Sequence, residues 1–170
     1  MWGETMEDTY DEIDIEIQSP GTYDLERGWM PSADMRIHLG GIERGEDRPW
    51  DDVSLPNEVF PDLLRCMAVI LENEECAAAF DMGELEFTPV PENDAVGVYF
   101  HIDGVPRESR DDSPDLVDRT ALVEEIYTTI RRWADEALAI NDDLTDADWF
   151  REIDTALTDA ERVLEEEGIR

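Results

Sequence analysis

Residues 76–103 read CAAAFDMGELEFTPVPENDAVGVYFHID, and this stretch decides the fold class. Three short runs, Cys76 to Phe80, Leu85 to Val90 and Val96 to Asp103, are separated by Asp81, Met82 and Gly83 and then by Pro91, Glu92, Asn93 and Asp94. Apolar or alternating runs bounded by Gly, Pro, Asn and Asp are strands joined by tight turns, so the stretch predicts an antiparallel meander. In its last run Val96, Val98, Phe100 and Ile102 fall on one side, and Gly97, Tyr99, His101 and Asp103 on the other.

Toward the N-terminus, Ile13, Ile15 and Ile17 alternate with Asp14 and Glu16, the period of a strand with one wet face. Ser19, Pro20 and Gly21 break it, and Met35 to Leu39 repeats the alternation after a loop holding Tyr23, Arg27 and Trp29. A polar stretch from Glu43 to Asp52 reads as loop. From Pro61 the spacing of Leu63, Leu64, Met67, Ala68, Ile70 and Leu71 becomes helical, with the proline suited to a first turn.

Beyond the meander, residues 104–118 are rich in charge, Pro and Ser and read as a mobile loop. Two amphipathic helices follow. One covers 119–140 with a stripe of Val123, Ile126, Ile130, Trp133 and Ala137. The other covers 146–167, with Thr145 as N-cap, a stripe of Trp149, Ile153, Leu157, Ala160 and Leu164, and Gly168 as its stop. The expected fold is a single α+β domain over 1–170: a mainly antiparallel sheet of about five strands in the order ββ-α-βββ-αα, with helices packed on one face.

The chain of 170 residues carries 46 acidic and 13 basic residues, a formal net charge of -33. All thirteen basic residues are arginine, and the acids run along the whole length, so neither an acidic tail nor a disordered acidic segment accounts for them. Loss of lysine with a surplus of carboxylates is what a solvent of molar salt favours, because carboxylates hold water and hydrated cations whereas lysine adds an apolar stem. In this respect the composition resembles that of haloarchaeal cytoplasmic proteins bathed in concentrated potassium salts. Met1 to Tyr10 has no apolar signal-like core and Cys66 to Leu71 is too short to cross a bilayer, so a cytoplasmic location without membrane association is expected. Cys66 and Cys76 are expected to be reduced, partly buried small hydrophobes.

Motifs for chemistry are sparse. Gly40 and Gly41 lack the lysine of a phosphate loop, and there is no nucleophile elbow, zinc-ribbon cysteine spacing or helical histidine pair, so no cofactor is expected. His38 and His101 both fall on the polar side of expected strands. If those strands are neighbours, they converge with Tyr99 and Asp103, and His38, His101 and Asp103 become a metal or general acid/base set for a small metal-dependent hydrolase-like enzyme.

A second concentration lies between Arg27 and Trp50, where Arg27, Trp29, Arg36, Arg44, Arg48 and Trp50 gather. Arginine with aromatics is characteristic of protein interfaces, which marks Arg27, Trp29, Arg44, Arg48 and Trp50 as candidate partner-binding residues. The abundant carboxylates hold hydrated cations loosely. Direct nucleic-acid binding is excluded for want of a basic patch, while acidic mimicry of nucleic acid toward a basic protein is a further alternative. The leading expectation is a non-enzymatic protein-interaction or regulatory module.

Overall fold

The computed structural model describes residues 13–39, 50–80, 83–102 and 115–170. Strands β1 (Ile13–Ile17) and β2 (Ala33–Leu39) pair antiparallel, with Ile15 opposite Ile37 and Ile17 opposite Met35. Hydrophobic alternation sets this register. Ile15, Met35 and Ile37 are buried while Asp14, Glu16 and Arg36 face solvent, and a slip of one residue would invert both sets. Between the two strands lies a single helical turn, α1 (Thr22–Glu26).

A third strand, β3 (Trp50–Ser54), pairs with the other side of β2, so residues 50–52 of the expected loop are strand, and residues 43–49 of it lie outside the described residues. Asp51 and Asp52 have weak strand preference, which hid this element. Its backbone pairing places Asp51 at the register position opposite Arg36, which on its other side is opposite Glu16.

Helix α2 (Pro56–Leu71) begins five residues before the expected start. Pro56 rather than Pro61 takes the first turn, where a missing N–H is harmless. The additional turn buries Val59 and Phe60 ahead of the expected Leu63, Leu64, Met67 and Ile70. After Leu71 the chain reverses through Asn73, which holds a left-handed φ of 60° and accepts a 2.8 Å hydrogen bond at Oδ1 from Arg119 Nη1.

That reversal brings Cys76, the first residue of β4 (Cys76–Phe80), beside Cys66 on α2. The Cα atoms are 5.6 Å apart, within bridging distance, and the sulfurs are joined in a disulfide. The expectation of two reduced thiols is corrected here. Both cysteines are buried as expected, but the tight turn between helix and strand leaves the two side chains facing each other.

β4, β5 (Gly83–Val90), β6 (Ala95–Ile102) and β7 (Asp115–Asp118) form a second antiparallel sheet in that order. The meander is as expected to within two residues at each end, and its turn is a short 3₁₀ segment, Pro91–Asn93, closed by Asp94 at a φ of 51°. Ala78, Leu85, Phe87, Val96 and Val98 are buried. β7 occupies the end of the stretch expected to be a mobile loop, and residues 104–114 of that stretch lie outside the described residues. The protein is thus α+β and antiparallel, with seven described strands in two sheets of three and four rather than about five in one.

β7 runs straight into α3 (Arg119–Ile140), whose first turn is capped by Asp118: its Oδ2 accepts from Ala121 N–H at 2.9 Å. All five residues of the expected stripe are buried. A 3₁₀ segment, Asp142–Asp146, leads to α4 (Asp148–Glu166). Thr145 lies in that 3₁₀ segment and does not cap α4; the N-cap is Ala147, without a side-chain hydrogen bond. Gly168, at a φ of +73°, ends α4 as expected and lets Ile169 N–H reach Leu164 O at 2.9 Å. α3 packs on β1, α2 on β4, and α4 over α2. The buried side chains of both sheets and the three long helices form one hydrophobic cluster.

Candidate interaction surface

Leu25 anchors the connection between β1 and β2. It is 0% exposed, and burying one leucine from a single helical turn fixes that turn to the body of the protein. Gly28 then turns the chain at a φ of +74°, a conformation that a side chain would strain. Trp29 N–H closes the turn onto Asp24 O at 2.9 Å. Two side chains from the far end of the sequence tie down its carbonyls: Asn141 Nδ2 donates to Leu25 O at 2.8 Å, and Trp149 Nε1 to Gly28 O at 3.1 Å.

Three side chains stand on this base. Tyr23 and Arg27 are four residues apart, one turn along the backbone, and the Arg27 guanidinium carbon lies 3.6 Å from the centre of the Tyr23 ring. Arg27 Nη1 also donates to Tyr23 O at 2.7 Å. Trp29 completes the group, its ring centre 6.2 Å from that of Tyr23 at 61° and 5.9 Å from the guanidinium.

Tyr23 is 63% exposed and Trp29 55%, so two large rings face water while their backbone is held by buried contacts. Beneath them Trp149 packs edge-on against Phe150 at 5.6 Å and against Trp133 at 6.5 Å, and Trp133 against Phe60 at 5.1 Å. The surface group is therefore seated on an aromatic column running into the core.

Of the residues expected to bind a partner, Arg27 and Trp29 come together here. Arg44 and Arg48 lie outside the described residues, and Trp50 opens β3, opposite Ile37 of β2. Sequence reasoning noted Tyr23 without assigning it a role; its spacing of four from Arg27 was the signal available.

His38 lies in β2 opposite Asp14, and His101 in β6 opposite Glu84. These strands belong to different sheets and are not hydrogen-bonded neighbours. Asp103 lies outside the described residues. Tyr99 is half-buried, opposite Glu86. Among the described residues no group of three His, Cys, Asp or Glu side chains is arranged to hold a metal ion, and no helix is long and apolar enough to cross a membrane.

A groove of about 640 Å³ between α2 and α4 is lined by Asn57, Pro61, Asp148, Arg151, Glu152 and Thr155. Asn57 Nδ2 donates to Glu152 Oε2 at 3.3 Å across it and Arg151 is paired with Asp148 along α4, while Asn57 Oδ1 is buried without a hydrogen-bond partner among the described residues.

No protein-family model, characterised protein or solved structure matches this chain.

Proposed function

We propose that this protein is a non-enzymatic interaction module of a salt-rich cytoplasm, and that it contacts a protein partner through Tyr23, Arg27 and Trp29. The observation that carries this reading is an exposed group in which Arg27 lies over the Tyr23 ring and Trp29 stands edge-on beside it, fixed from below. Tyrosine, tryptophan and arginine dominate binding energy at interfaces, and side chains ordered before contact lose little entropy on making it. The partner that fits presents a carboxylate for the free edge of the Arg27 guanidinium, beside an apolar group that covers Trp29.

Exposed carboxylates support the salt-adapted part of the reading. They occur on the outer faces of both sheets (Asp14, Glu84) and along all three long helices (Glu58, Glu124, Glu161). Coverage of every described face fits a solvent adaptation better than a one-sided imitation of nucleic acid. In concentrated salt, steering by charge is screened within about 3 Å, so contact made by packed aromatic rings has the advantage.

The test begins with a partner isolated by cross-linking in a concentrated-salt extract and then purified. Titrated against that partner, Trp29→Ala and Arg27→Ala each weaken binding by roughly thirtyfold, the equivalent of about 2 kcal/mol at a dominant interface residue. A control, Glu92→Ala, in the exposed 3₁₀ turn, leaves binding unchanged. Equal affinity for all four proteins would remove this surface from consideration.

A further inference from the structure

We propose that Cys66 and Cys76 form a reversible thiol–disulfide site that reacts with hydroperoxides, Cys76 being the attacking sulfur and Cys66 the resolving one. The assignment of roles rests on the different surroundings of the two sulfurs. Cys66 is 0% exposed on the inner face of α2, among residues of the core cluster. Cys76 is 8% exposed at the start of β4, and Arg65 Nη1 lies 3.3 Å from its sulfur. The Arg65 side chain is itself 55% exposed, so the group that touches the Cys76 sulfur also reaches solvent.

A cation in contact with a thiol favours the thiolate, the nucleophilic form, whereas apolar burial favours the thiol. Among the described residues the charged groups around Cys76 are one cation and four carboxylates. From α2 come Arg65 and Asp62, paired at 2.9 Å; from the preceding turn come the exposed Glu74 and Glu75; and Glu86 on β5 stands opposite Ala77. Arg65 is the cation among them and the one that touches sulfur. Two further bonds fix it in place: Arg65 Nη2 donates to Ala77 O at 3.3 Å, and Asp62 Oδ2 accepts from Ala79 N–H at 3.0 Å, so Asp62 and Arg65 grip both β4 and each other.

In the reduced protein the Cys76 thiolate attacks one oxygen of a hydroperoxide. The O–O bond breaks, the departing oxygen takes up a proton as water or alcohol, and Cys76 becomes a sulfenic acid. The Cys66 thiol then attacks the Cys76 sulfur; the S–S bond forms, the C–S bonds are untouched, and the hydroxyl leaves as water with the Cys66 proton. Two thiols are oxidised and one peroxide is reduced. A dithiol reductant reverses the change, being oxidised to its own disulfide. In the bonded form the Cα atoms stand 5.6 Å apart across the short turn between α2 and β4, so this turn accommodates the disulfide that resolution forms.

The experiment uses the full chain, reduced with a dithiol and freed of it in concentrated KCl. Iodoacetamide labelling of the reduced wild-type protein across pH is expected to show one thiol with a midpoint well below the usual ~8.5 and a second that stays protected. Equimolar hydrogen peroxide is expected to restore the disulfide. In Cys66→Ala the reaction stops at a sulfenic acid on Cys76 that dimedone traps; in Cys76→Ala the remaining thiol is inert. Arg65→Gln slows labelling at pH 7 by roughly tenfold, the change in thiolate fraction made by one pKa unit, and Arg65→Lys recovers most of it.

Equal midpoints for the two wild-type thiols would overturn the proposal, as would an Arg65→Gln profile that does not move. The wild-type profile needs no substitution, so it decides the matter even if a cysteine variant fails to fold.

Discussion

Tyr127 is buried on α3, with the Arg170 guanidinium 4.8 Å from the centre of its ring and the Glu161 carboxylate among the charges that act on it. Burial raises its pKa above the ordinary 10.0 and repulsion from Glu161 adds to the shift, while Arg131 and Arg170 oppose it. The folded protein therefore holds this proton more tightly than the unfolded chain does. Stability due to the neutral ring is complete below pH 10 and is lost as pH rises through the higher folded value. Urea unfolding measured at successive alkaline pH values should show stability falling above pH 10, and falling less steeply in Tyr127→Phe. Parallel declines would mean that this group is not the one titrating. The single residues that matter here were unequally legible. The apolar stripe of α3 followed from spacing alone, but that Leu25 is an anchor, or that Asn141 and Trp149 hold a loop more than a hundred positions away, depends on contacts that no local pattern encodes.

Strand edges show how the elements are protected. β4 is an edge of its sheet, and its outward Ala79 N–H and Ala77 carbonyl are engaged by Asp62 and Arg65 of α2. β1 is an edge of the other sheet, and its Ile15 N–H donates to Glu125 Oε2 of α3 at 2.8 Å. Helix side chains thus occupy backbone groups that would otherwise pair with another chain. Asp62→Ala should free Ala79 and loosen Arg65, giving concentration-dependent association by light scattering where the parent protein stays monodisperse; an unchanged profile would show that the edge needs no such cover. The longer elements were readable from hydrophobic period, α3 to its end residues and the meander nearly so. α1, β3 and β7 are five residues or fewer, too short for a period to rise above the acidic background, and β7 was absorbed into a charged run. The division into two sheets was equally hidden, because alternation reports which face is buried and not which strand lies alongside.

Thirteen arginines cannot pair with 46 carboxylates, and the described ion pairs are mostly short-range contacts of Arg with Asp three or four positions away on one helix. Exposed pairs of this kind contribute little, so the surplus negative charge is the dominant electrostatic term and opposes the fold. Its reach is about 10 Å at 0.1 M salt and about 3 Å at 1 M, less than the spacing of most surface carboxylates. Composition made this much readable from the outset, since charge balance needs no fold; the Tyr23, Arg27 and Trp29 contact surface became visible only once the turn around Gly28 was placed. The proposed reading assigns the acidity to the solvent and the contact to those three side chains. It is tested most directly by the urea unfolding midpoint measured from dilute buffer to molar KCl. The midpoint should rise steeply toward molar salt and fall toward collapse of the fold in dilute buffer. A midpoint independent of KCl would contradict the account and return the carboxylates to the list of binding devices.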